Sequence, residues 1–215
     1  MNVSRETGGA VTPEDFQART GVSRETLGRL RAYADLLVKW QARINLVGPE
    51  TVPSLWQRHF LDSAQVFPIL PHGIHRLVDM GCGAGFPGLV LAVMGVPDVH
   101  LIESDTRKCA FLREAARITG TPVTIHNARI EAVAPLAAEV VTARALAPLE
   151  KLLPWAERHL LPQGHCVFLK GRGSEDELTT AGKEWNITFE RFASQTDPAA
   201  AILHLKEVHR GRAQP

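Results

Sequence analysis

The stretch LVDMGCGAGFPG, Leu77 to Gly88, places four glycines and a proline directly behind a short apolar run interrupted by an aspartate. Glycine reaches left-handed backbone conformations without penalty and leaves no Cβ where a ligand must approach the chain. A β-forming run, such a turn and then an apolar helical segment, PGLVLAVMG, make up the first unit of an open parallel sheet. In that architecture the ligand crevice lies beyond the carboxyl ends of the strands.

The sequence after Arg76 repeats that alternation. Short β-rich runs RLVDM, VHLIE, PVTIH, EVVTA and HCVFLK are separated by DTRKCAFLREAARITG, EAVAPLA and LEKLLPWAERHLL, mostly long enough for crossover helices. The last two runs, NITFERFAS and AAILHLKEVHR, have no helix between them, which predicts an antiparallel pair at the sheet edge. Before about residue 70 the pattern is helical. Thr12 and Ser23 are N-cap candidates, Pro13 suits a first helical position, and Leu27, Leu30, Ala34, Leu37 and Ile44 recur at helical spacing. A further short helix is expected around SLWQRHFLDSAQVF. The expected fold is α/β and Rossmann-like, with a mostly parallel central sheet and an antiparallel C-terminal edge. A helical N-terminal extension, 1–71, packs as one unit with the Rossmann-like domain, 72–215.

With 45% hydrophobic and 22% charged residues, the 215-residue chain can bury a substantial core. No apolar run approaches the roughly 20 residues of a membrane span, and the opening MNVSRETGGAVTPEDF lacks a signal core, so a cytoplasmic location away from membranes is expected. Cys82, Cys109 and Cys166 stand far apart with no C-x-x-C pair, which suggests neither disulfides nor a thiolate metal site; no metal is expected. The net charge of +1 excludes a strongly basic surface, so any nucleic-acid contact must come from local clusters. A monomer is the expected state.

Two ligand classes fit the glycine turn. A dinucleotide would use Gly83-x-Gly85-x-x-Gly88, which matches G-x-G-x-x-G, and would set its pyrophosphate on the next helix. S-adenosylmethionine carries cationic groups and no phosphate. Asp79, ahead of Gly81, would repel a pyrophosphate and suit an ammonium, and Pro87 removes a backbone donor at the helix start; both favour the second class. Glu103, closing the next β run, can accept hydrogen bonds from ribose hydroxyls of either ligand.

Several separated blocks resemble the RsmG family, also called GidB, bacterial methyltransferases acting on a guanine N7 atom of 16S rRNA. WQARINLVGPET and RHFLDS are similar to its helical signature, LVDMGCGAGFPGLVLA to its cofactor loop, and LIESDTRKCAFLRE, TARALAPL and FLKG follow in the family's order. The resemblance implies a class I S-adenosylmethionine-dependent methyltransferase that yields S-adenosylhomocysteine and acts on guanine-527 of 16S rRNA or of the small ribosomal subunit. It implies cofactor contacts at Gly81, Phe86, Ile130, Glu131 and Arg144, beside Asp79, Gly83, Gly85 and Glu103 from the turn itself. Cys82 stands where a small Ser or Thr is expected.

Guanine N7 already presents an in-plane lone pair, so no proton leaves before attack and no general base is assigned. Consistently, TARALAP replaces the Asp/Asn-Pro-Pro-aromatic segment of amino-directed methyltransferases, and no Pro-Cys pair offers a nucleophile. Arg58, His59, Arg144, Lys170 and Arg172 are candidate RNA contacts, Lys170 and Arg172 forming a basic rim with Arg144. Asp62 is a partner candidate for Arg58, and the basic residues of HLKEVHRGR read as a solvated tail. Rival readings are a methyltransferase for another RNA, a protein or a small molecule, a dinucleotide-binding protein, and a noncatalytic RNA-binding module.

Overall fold

The structure is a computed structural model and describes residues 11–211; the opening MNVSRETGGA and Arg212 of the basic tail lie outside the described residues. Two helices come first, α1 (Pro13–Thr20) and α2 (Arg24–Gln41). The Thr12 hydroxyl accepts from the Asp15 amide while the Asp15 carboxylate returns to the Thr12 amide, a reciprocal cap, and Ser23 caps α2 through Thr26. A 3₁₀ turn at Pro49–Ser54 and a π turn at Trp56–Leu61 then run into the short α3 (Asp62–Ala64).

The remaining chain forms one seven-stranded sheet ordered β3-β2-β1-β4-β5-β7-β6. The strands are β1 (Arg76–Met80), β2 (Asp98–Glu103), β3 (Thr124–Asn127), β4 (Ala138–Arg144), β5 (Leu160–Lys170), β6 (Trp185–Ala193) and β7 (Ala201–Arg210). Pairings among the first five are parallel, and β7 runs antiparallel between β5 and β6. Helices α4 (Gly88–Met94), α5 (Thr106–Thr119), α6 (Leu149–His159) and α7 (Ser174–Ala181) connect the strands. The chain leaves β1 toward β2 on one side and later returns to β4 on the other. The order reverses there, and such a switch point opens a crevice at the strand ends.

Two connections differ from expectation. EAVAPLA forms no crossover helix; only a 3₁₀ turn, Ile130–Ala132, joins β3 to β4. Pro135 lacks an amide donor and disfavours helical backbone at Ala134, which stops a longer helix. Conversely α7 was not expected, although Glu175, Asp176 and Glu177 in its first turn are the charges a helix N-terminus favours. The supposed basic tail is mostly strand β7, where Lys206 Nζ lies 2.8 Å from Glu190 Oε1.

The sheet buries a core on each face. On one, Leu30, Tyr33 and Leu37 of α2 share a continuous apolar cluster with Leu89 of α4, Phe111 and Leu112 of α5 and Leu77 of β1. Arg29 fastens the same junction, its Nε 2.6 Å from the Thr119 carbonyl at the end of α5 and its Nη2 2.8 Å from Thr121 Oγ1. The other face holds Val78, Met80, Val141, Leu152, Leu153 and Phe168. The central strands β1 and β4 therefore alternate between two apolar environments, whereas the edge strand β6 is mostly exposed.

Candidate active site

The glycine turn divides into two halves with different work. Gly81 and Gly83 adopt left-handed φ of +62° and +57°, and a Cβ at Gly83 would project into open space. A Cβ at Gly81 would sit 2.5 Å from Leu146 Cδ1, so the absence of a side chain lets Leu146 lie on the turn. Gly85 and Gly88 are buried packing glycines: a Cβ there would stand 2.7 Å from Tyr33 Oη and 2.8 Å from Asp79 Oδ2, respectively. Tyr33, from α2, donates its hydroxyl to the Ala84 carbonyl and stacks on Phe86 at 5.6 Å between ring centroids. The N-terminal helices thus hold the turn from behind.

Asp79 sits at the root of the same half. It is fully buried, with Oδ2 accepting from the Gly88 amide at 2.8 Å and Oδ1 from Thr142 Oγ1 at 2.9 Å. Burial pushes its carboxyl pKa up to about 7, against the opposing pull of those two hydrogen bonds and of Arg144. Glu103, at the end of β2, accepts from the Gly83 amide through Oε2 at 3.0 Å and from the Asp105 amide through Oε1 at 2.7 Å. Each carboxylate oxygen retains a further lone pair for a ligand hydroxyl.

These elements border a cavity of about 310 Å³. Gly81, Gly83 and Glu103 form its β1–β2 side, Ile130 and Glu131 come from the 3₁₀ turn after β3, and Leu146 and Trp155 close it with apolar surface. A concave, largely apolar space with one carboxylate at a strand end suits a nucleoside.

A second cavity, of about 300 Å³, lies on the other side of the segment that follows β4. Arg144 and Ala145 line it, whereas the next residue, Leu146, lines the first cavity. Ala145 adopts φ +50°, a conformation L-residues seldom take, at the point where the chain turns from one cavity to the other. Arg144 is fixed on several sides. Nη1 donates to the Arg58 carbonyl at 3.0 Å and to Asp62 Oδ2 at 3.3 Å, and Nη2 donates to His59 Nδ1 at 2.9 Å. The guanidinium also stands 5.1 Å over the Phe86 ring.

His59 belongs to the π turn, a form of helix frequent at functional sites. Burial, reinforced by the charges of Arg144 and Arg58, lowers its pKa to about 3, so the ring is neutral at physiological pH. With Nδ1 accepting from Arg144, Nε2 carries the proton and donates to Thr51 Oγ1 at 2.7 Å; that hydroxyl donates onward to the Gly48 carbonyl at 2.7 Å. Both ring nitrogens are committed.

The family model described as rRNA small subunit methyltransferase G (GidB) matches residues 26–200. The protein named Ribosomal RNA small subunit methyltransferase G of Paramagnetospirillum magneticum is 71% identical over 94% of this chain and 99% of its own length. The chain belongs to the GidB family. The same-named protein of Rhodospirillum centenum is 58% identical over 90% of each chain. Among solved structures, M. jannaschii TYW2 in complex with AdoMet superposes with a TM-score of 0.58 at 17% identity, covering 79% of this chain and 80% of that one. The fold is that of the S-adenosylmethionine-dependent methyltransferases.

Within this GidB chain the expected site residues other than Arg172 separate into three groups. Gly81, Gly83, Glu103, Ile130 and Glu131 meet around the first cavity, and Arg58, His59, Arg144 and Lys170 around the second. Asp79, Gly85 and Phe86 line neither; they are buried behind the turn because Tyr33, Gly88 and Thr142 occupy their contact surfaces. The ammonium partnership expected of Asp79 is replaced by its hold on Gly88 and Thr142. The basic rim is also reduced: Lys170 Nζ pairs with Glu177 at 2.7 Å and donates to the Ala147 carbonyl at 2.8 Å, which braces the segment after β4. Arg172 is exposed and outside the cavity lining. Asp62 pairs with Arg144, and Arg58 instead meets Asp197 at 3.2 Å. Leu146, Trp155 and Asp197 escaped sequence reasoning. Leu146 and Trp155 read as ordinary apolar residues, and Asp197 lies in a β6–β7 loop carrying no motif.

Proposed function

We propose that this chain is a methyltransferase that moves the methyl group of S-adenosylmethionine to N7 of a guanine in 16S rRNA, guanine-527 by family resemblance. The observation that carries the reading is the pair of cavities separated by Arg144–Ala145–Leu146 at the end of β4, in a member of the GidB family. One suits a nucleoside; the other is large enough for a base and lined by polar groups.

When bound, S-adenosylmethionine supplies an electrophilic methyl group and leaves as S-adenosylhomocysteine. Gly83 would admit it close to the backbone while Gly81 seats Leu146 against the turn, Glu103 would accept from its ribose hydroxyls, and Ile130 and Glu131 would border the adenine. Asp79, Gly85 and Phe86 act from behind, holding the turn in shape. The Gly88 amide is consumed by Asp79 and α4 spans only Gly88–Met94, which disfavours a pyrophosphate and with it the dinucleotide reading.

Arg144 sits between the two cavities and orients the acceptor. The commitment of both His59 nitrogens accords with a reaction that removes no proton before attack. Catalysis then rests on placing N7 within about 3 to 3.5 Å of the methyl carbon. Arg58 and Arg172 are available for RNA phosphates, with Lys170 bracing the loop. The helical extension, 1–71, and the domain, 72–215, act as one unit, as a cytoplasmic monomer without a metal. No described helix is long and apolar enough to cross a membrane.

The test is transfer of labelled methyl to small-subunit RNA, followed by nuclease digestion. Recovery of labelled 7-methylguanine is expected. A different methylated base, or label confined to protein or small molecules, overturns the reading.

A further inference from the structure

Adenine also carries an N7 lone pair, so positioning alone does not select guanine. The two purines differ on the opposite edge: guanine presents two donors, N1–H and the 2-amino group, where adenine presents a bare N1 acceptor. A carboxylate facing that edge accepts from the first and repels the second.

The second cavity holds two carboxylates, Asp62 and Asp197. Asp62 is already spent. Its Oδ1 accepts from Thr196 Oγ1 at 2.7 Å and from Gln65 Nε2 at 2.9 Å, while Oδ2 faces Arg144 at 3.3 Å, and the side chain is only 17% exposed. Asp197 is different. Its Oδ1 accepts from the Ala199 amide at 2.9 Å, which fixes the carboxylate on the β6–β7 loop, and Oδ2 meets only Arg58 Nη1 at 3.2 Å. The side chain is 35% exposed and its Arg58 partner 45% exposed. A pair so exposed is worth at most about 1 kcal/mol and exchanges readily for a new donor.

We infer that Asp197 is the specificity-determining residue of the acceptor site, taking the N1–H and 2-amino donors of the target guanine. The inference rests on the methyltransferase reading of the same cavities. With that edge on Asp197, the base lies inside the cavity that Arg144 and Ala145 also line. Arg58, released from Asp197, becomes free for the base oxygen or a phosphate. Transfer to N7 leaves a cationic base, and an ionised carboxylate on its far edge stabilises that charge. The Ala199 amide and Arg58 hold the Asp197 carboxyl below its ordinary range, so it is ionised throughout the physiological window.

The experiment uses the full chain and ligated small-subunit RNA carrying either guanine or hypoxanthine, which lacks the 2-amino group, at the target position. Wild-type transfer to guanine RNA establishes the methyltransferase reading independently; its failure sinks that reading and not merely the role of Asp197. Given transfer, the wild type is expected to lose about 10- to 100-fold in kcat/KM on hypoxanthine RNA, the range for one hydrogen bond to a charged group. Asp197→Asn is expected to lose a similar factor on guanine RNA and to discriminate little between the two RNAs, with unchanged affinity for S-adenosylmethionine. Arg58→Gln, which removes the ion-pair partner but keeps the carboxylate, retains the guanine preference whatever its overall rate. Equal wild-type rates on both RNAs, or full discrimination surviving in Asp197→Asn, overturn the inference.

Discussion

Asp79 and His59 are buried titratable residues whose pKa values move in opposite directions, one up to about 7 and the other down to about 3. Burial disfavours the charged form of each, so a carboxyl keeps its proton and an imidazole loses it. For Asp79 the native pKa stands above the unfolded value of 3.8. Between these values the native state holds a proton that the unfolded chain has released, so stability falls as pH rises and levels off above about 7. The slope approaches ~1.4 kcal/mol per pH unit within the window. Asp79→Asn retains a carbonyl for the Gly88 amide and does not titrate. Relative to the variant, the wild type should lose stability across that window in urea unfolding; parallel profiles would show that Asp79 does not titrate there. Asp79 was legible as important from its place before the glycines, but its partner was not. The residue facing its carboxylate is Thr142, 63 positions along the chain, and only strand pairing brings the two together.

At the scale of elements, the end of β4 and the π turn form one device. Arg144 reaches back to Arg58, His59 and Asp62 with a planar fork, and its face rests on Phe86. A lysine would keep the charge but could serve only part of this set from one point. Arg144→Lys is therefore expected to lower kcat/KM for methyl transfer by about 10- to 100-fold, the equivalent of one or two charged hydrogen bonds. Rates measured beside the thermal unfolding midpoint separate this loss from unfolding; wild-type rates in Arg144→Lys would remove the planar fork from the mechanism. RHFLDS reads as helix from its pattern, whereas its widening to a π turn does not, and neither does the meeting of His59 and Asp62 with Arg144 at the end of β4. Likewise β5 begins at Leu160, ahead of the HCVFLK run, because Leu160 pairs with Ala138 of β4; the register then shifts, and regular pairing resumes at Val140 and His165.

For the whole molecule, the decisive feature is a core shared by the N-terminal helices and the sheet. Tyr33 touches the Phe60, Phe86 and Phe111 rings at 5.2, 5.6 and 6.1 Å and its hydroxyl holds the Ala84 carbonyl. Tyr33→Ala should cost about 3 to 5 kcal/mol, the range for a large buried aromatic, and the protein should still unfold in a single transition. Tyr33→Phe keeps the packing and should cost only about 1 kcal/mol for the lost hydrogen bond. Separate transitions for helices and sheet in the wild type would contradict a common core.

By itself the sequence determined what local pattern controls: five parallel strands and an antiparallel edge, the helical start, the glycine turn and the family. Apolar alternation, caps and glycine freedom act over a few residues, so they can be read without the fold. Tertiary structure alone decided which glycines face a cavity and which face Tyr33 or Asp79, that Lys170 braces a loop, and that Asp197 lines the same cavity as Arg144. Those assignments follow from side chains brought together by strand order and packing, and nothing in their spacing along the chain encodes the meeting.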